Sequence, residues 1–85
     1  DNMRKCPAKR GFHTDCVGTV AACNIQIAYE KHLNHEFFGP HTSLVAMTSV
    51  GGEIAAMTGK FTNPYPEGKL GVIEEGAYAD ILIIH

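Results

Sequence analysis

The chain has 85 residues, seven Lys or Arg against nine Asp or Glu, a net charge of −2 and 45% hydrophobic residues. That is about one small domain's worth of polypeptide, with neither the basic patch of a nucleic-acid binder nor an acidic tail. The longest apolar run falls far short of the roughly 18 residues a membrane span needs, no charged-apolar-small signal plan stands at the start, and no compartment follows.

The first run with structural character is Lys9 to Cys16, KRGFHTDC, which reads as a short strand ending in Thr14-Asp15. Val17-Gly18-Thr19 then loosens into a loop. Asp15 is the candidate catalytic residue, because an acid there sits at a strand's C-terminal end. A plainer reading makes it a turn residue, or a cap for the helix that follows Gly18. Cys6, Cys16 and Cys23 are an odd set, and their spacings of ten and seven residues fit neither a CxxC redox motif nor a zinc knuckle. They read as plain packing thiols.

Helical patterning follows. Thr19 caps a helix over residues 20–38 in which Ala22, Ile25, Tyr29, Leu33 and Phe37 form one apolar stripe, with Gln26, Glu30, Lys31 and Asn34 off it. Gly39-Pro40 ends it, since glycine suits the position after a helix and proline cannot continue the ladder. A second helix starts near His41-Thr42-Ser43 and carries Leu44, Val45 and Met47. A third runs from Ser49 to Gly59, with Gly51-Gly52 costing about 1 kcal/mol per glycine relative to alanine unless close packing calls for them.

Asn63-Pro64-Tyr65-Pro66-Glu67-Gly68 is a stiff connector, each residue before a proline being biased to extended geometry. Beyond it, Leu70, Val72 and Ile73 make a short apolar run, Glu74-Glu75-Gly76 a polar turn with a residue free to take positive φ, and Ile81 to Ile84 an aliphatic strand. That last strand is apolar on both faces, as expected inside a sheet covered on each side.

Taken together, Gly68-Lys69-Leu70-Gly71-Val72-Ile73, a gap, Gly76, then Ala79-Asp80 and the aliphatic run resemble the C-terminal signature of the amidohydrolase superfamily, metal-dependent hydrolases of the imidazolonepropionase and Xaa-Pro dipeptidase type. The resemblance implies an α/β fragment: the last β-strand and helices of a TIM (β/α)₈ barrel over residues 1–62, then a linker and the C-terminal strands of a small composite β-sandwich over 63–85. A barrel alone takes about 250 residues, so the 85 here would be a C-terminal piece. Thr14-Asp15 resembles the end of barrel strand eight, whose aspartate is the metal-site acid, and strand ends are where barrel active sites gather. His13 departs from the Gly or Ser of many members, which bears on pocket shape.

By that resemblance the intact protein hydrolyses C–N bonds of a small amide or dipeptide with water activated by a divalent metal, zinc, as one or two ions. Asp15 would be both metal ligand and catalytic group, accepting the proton of the bound water and passing it to the departing amine. The metal histidines would lie upstream, so the 85 residues alone would bind no metal and be inactive, with the missing barrel portion or a second copy as partner. Two other readings stand beside this one. The chain would be a self-contained binding module, its helices packing on the C-terminal hairpin, or it would hold zinc through His32 and His35, which share helical spacing with Glu36 and have His41 nearby. Leu33 and Phe37 claim the adjoining face for packing, which makes those histidines surface or half-buried residues.

Overall fold

Thr19 starts the longest helix by local chemistry alone. Its backbone is extended, its Oγ1 accepts the Ala22 N–H at 3.2 Å, a donor without an intrahelical partner, and its carbonyl accepts the Cys23 N–H at 2.9 Å, the first bond of the helical ladder. In the computed structural model, which describes residues 1–85, four helices form: α1 (Asn2–Lys5), α2 (Val20–Phe38), α3 (Pro40–Met47) and α4 (Ser49–Ala56). α1 is a single turn that the sequence reading does not foresee.

Gly39 ends α2 and begins α3. At φ +82° it takes a conformation costly to any residue with a Cβ, donates its N–H to the His35 carbonyl at 2.9 Å, and leads into Pro40 at the first position of α3, where no N–H is missed. The chain bends again at Thr48, whose hydroxyl donates to the Leu44 carbonyl at 2.8 Å. α4 then unwinds through bonds from Thr58 to Ala55 and from Gly59 to Ala56, with Gly59 at φ +82°. These boundaries agree with the caps and breakers read from the sequence.

No β-strand forms anywhere in the chain, so the expectation of an α/β fragment is overturned. The run from Lys9 to Gly18 makes no backbone–backbone hydrogen bond, and neither does the stretch from Ala79 to His85. The C-terminal hairpin is reduced to its turn. Ala77 donates to the Glu74 carbonyl with Gly76 at φ +82°, the positive value a type II turn requires at that position, and Tyr78 donates to Lys69 at 3.0 Å. One bridging bond makes no ladder. Strand propensity expresses itself only when a neighbouring strand and a buried face are present, and none of the three segments finds either. Ile81, Leu82, Ile83 and Ile84, expected inside a covered sheet, are exposed.

The helices touch in sequence, α2 against α3 and α3 against α4, yet only Ala46 and Ser43 are buried. The orientation of α2 also differs from the expected stripe. Of that stripe Ile25, Tyr29 and Phe37 are exposed and Ala22 and Leu33 half-buried, and the half-buried positions also include Cys23, Ile27, Glu30, Asn34 and Phe38, a face shifted round the helix. Both faces carry apolar residues, so periodicity does not choose between them. The C-terminal segment lies over α4 instead: the backbone of Leu70 covers Gly52, and that of Thr48 abuts Gly71. Lys9 pairs with Glu53 and holds the N-terminal run to the same helix.

Candidate functional site

Asp15 sits on the irregular run before α2, exposed, at φ +46°. It is the one residue other than glycine in the left-handed region, and aspartate is among the few side chains that tolerate it. Its carboxylate makes no hydrogen bond or ion pair within the chain. The cap of α2 is Thr19, so Asp15 does not serve as one. Phe12, His13, Thr14, Asp15 and Ile27 line a shallow, open hollow. The His13 ring folds back toward Gly11, so close that a Cβ on Gly11 would lie 2.6 Å from its Nε2.

Beside Asp15 the structure places a bond that the spacing does not suggest. Cys16 and Cys23 form a disulfide, with Cα atoms 5.5 Å apart and a sequence separation of 7, and Cys6 is a free, exposed thiol. None of the three is a buried packing thiol. The loop folds back at Gly18, at φ +134°, and carries Cys16 over the first turn of α2, where Cys23 projects. In the chain-entropy account a ring this small stabilises by about 2.5 kcal/mol.

The rival metal set does not assemble. His32, His35, Glu36 and His41 are all exposed, and no three His, Cys, Asp or Glu side chains lie close enough together to hold a metal ion. Zinc takes three or four protein ligands, and Asp15 offers one carboxylate, so the residues of this chain do not by themselves fit a metal.

Two grooves of about 480 Å³ each lie elsewhere. One separates α4 from the C-terminal segment and is lined by Lys9, Ser49, Glu53, Asn63, Tyr65 and Lys69 among others. At its edge Lys69 meets Glu74 at 2.7 Å. The hydrogen bond to that carboxylate, and then its charge, raise the Lys69 pKa above the usual lysine range. The other groove lies between the N-terminus and the end of α2. There Arg4 stands 5.7 Å over the Phe37 ring and Arg10 stands 4.6 Å over Phe38, while Arg10 also donates to the carbonyls of Met3 and Cys6. Two consecutive aromatics at a helix end with two upstream arginines are the only sequence sign of it. Compared with protein-family models, curated proteins and solved structures, the chain matches none.

Proposed function

We propose that this chain is the C-terminal part of a metal-dependent hydrolase acting on C–N bonds of amide or peptide-like substrates, to which it contributes one carboxylate, Asp15. The ground is the resemblance of Thr14-Asp15 and of the run from Gly68 to Ile84 to the amidohydrolase pattern. The observation that supports it is the state of Asp15: exposed, left-handed in backbone, and engaged by nothing else in the chain. The carboxylate neither caps a helix nor closes an ion pair within the chain, which leaves it available to a ligand. The remaining ligands belong to polypeptide outside these residues.

The binding-module reading draws less support, because a module of this size needs a core and the helices bury only Ala46 and Ser43. The test is the complete reading frame that encodes this chain, expressed with Asp15 and with Asp15→Asn. On this reading the parent hydrolyses dipeptides or N-acyl amino acids in the presence of a divalent metal, and the variant loses about 10²–10⁴ in kcat. Equal rates in the two proteins remove Asp15 from the chemistry.

A further inference from the structure

We propose that the Cys16–Cys23 disulfide is a redox latch that fixes the Asp15 segment to the start of α2. From Phe12 to Gly18 nothing else restrains the chain in polar terms: there is no backbone hydrogen bond, no side-chain hydrogen bond and no ion pair. The contacts of Lys9 with Glu53 and of Arg10 with Met3, Cys6 and Phe38 stop before that stretch. The bridge is therefore the one bond that ties the Phe12–Gly18 stretch to α2, and it begins at the residue next to Asp15. A left-handed aspartate relaxes to negative φ when its neighbours stop imposing the conformation. Cys16 is what imposes it here.

Opening the latch needs only a thiol reductant. A thiolate attacks one sulfur of the bridge to form a mixed disulfide, and a second thiolate displaces the cysteine from that mixed disulfide. The reductant leaves as a disulfide, its two electrons and two protons residing in the Cys16 and Cys23 thiols. Both cysteines are half-buried on a segment without a core around it, so a small thiol reaches them. Cys6 lies before the latch in the chain and is free in the oxidised protein. In the oxidised state Asp15 is held at a fixed offset from α2, and in the reduced state it is released. The consequence for catalysis rests on the role proposed for Asp15, but the latch itself does not.

The test therefore reads the latch rather than turnover, on the 85-residue chain. Alkylation of the air-oxidised protein in a buffer without thiols labels one cysteine, Cys6, and alkylation in a dithiothreitol buffer, after removal of the reductant, labels three. On reduction the Ala22 and Cys23 amides, which bond to Thr19, exchange with solvent at least about tenfold faster as the first turn of α2 frays. The Gly39 amide at the far end of α2 keeps its rate. The double variant Cys16→Ser, Cys23→Ser shows the fast exchange in both buffers. Three labels under oxidising conditions, unchanged Ala22 and Cys23 exchange, or a change that extends to Gly39 overturns the proposal. Whether the complete protein is a hydrolase leaves each of these readings untouched.

Discussion

The backbone carbonyl of Leu70 occupies the place where a side chain on Gly52 would begin. The C-terminal segment can lie over α4 only because that helix carries glycine there. Gly52→Ala improves helix propensity by about 1 kcal/mol in isolation, yet here the methyl group pushes Leu70 away, and the bond from Tyr78 to Lys69 goes with it. Gly51→Ala is the control. Its nearest neighbour is the Ala46 carbonyl of α3 at 3.1 Å, with nothing of the C-terminal segment close to it, so a methyl group there leaves Leu70 in place. Amide exchange at Tyr78 separates the two, fast in Gly52→Ala and parental in Gly51→Ala. A protected Tyr78 amide in both means that Leu70 does not rest on Gly52.

Thr19→Ala removes the oxygen that accepts the Ala22 N–H and leaves that donor to water. The expected loss is about 1 kcal/mol of helix stability. It should appear as lower helical ellipticity and a lower urea midpoint, with Thr19→Asn close to the parent. Equal effects of alanine and asparagine would place the helix start elsewhere.

The elements that the sequence made legible are the ones that local chemistry specifies. Thr19, Gly39, Pro40 and the Glu74–Ala77 turn each act within a few residues, and each is found where the residue types put it. The expected strands do not form, for the opposite reason. Ile81 to Ile84 and Lys9 to Asp15 have the composition of strands, but pairing depends on a distant partner that composition does not supply. The packed face of α2 is not fixed by periodicity, because Ile25-Tyr29-Phe37 and Cys23-Ile27-Phe38 are both apolar. The pairing of Cys16 with Cys23 depends on a reversal at Gly18 that spacing does not encode. Of Gly51 and Gly52, which sequence alone marks only as a cost, Gly52 is explained by the segment above it, and Gly51 meets the Ala46 carbonyl of α3 at 3.1 Å.

Arg10 spans two roles that lysine cannot combine. Its guanidinium lies on the Phe38 ring while the same group donates to the carbonyls of Met3 and Cys6. Arg10→Lys keeps the charge but loses the planar fork. An exposed cation–π contact is worth about 0.5–1 kcal/mol, enough to decide whether a single-turn helix such as α1 persists. Amide exchange at Lys5, whose N–H bonds to the Asp1 carbonyl at 3.2 Å, should accelerate in Arg10→Lys and leave α2 unchanged. An unaltered rate at Lys5 would show that α1 does not depend on Arg10.

The Lys69–Glu74 contact gives the C-terminal turn a pH dependence of known sign. Lys69 holds its proton more tightly in the folded chain than in the unfolded one, where its pKa is 10.5. The stabilisation is therefore complete below that value and disappears as pH rises through the higher folded one. Neutral and mildly acidic conditions down to the carboxylate range leave the contact intact. Carbon-detected NMR of the Lys69 Cε checks this: its titration midpoint should fall in Glu74→Gln, because the hydrogen bond to a carboxylate and its charge cause the rise. A midpoint indifferent to Glu74→Gln would detach the turn from that ion pair.

The 85-residue chain should not hydrolyse dipeptides when zinc is added. Asp15 is exposed and free to meet a cation, but a single carboxylate in water binds zinc weakly, and His32, His35 and His41 converge with it nowhere. Three or four ligands are needed to hold the ion and leave one position for water, and without them the bound water stays far from the neutral pKa that makes it a nucleophile. Amino-acid release from a dipeptide panel, with and without Zn²⁺, is the measurement. Turnover that Asp15→Asn abolishes would mean that these residues assemble a complete metal site on their own, for instance across two copies of the chain, and would contradict the assignment of the other ligands to polypeptide beyond it.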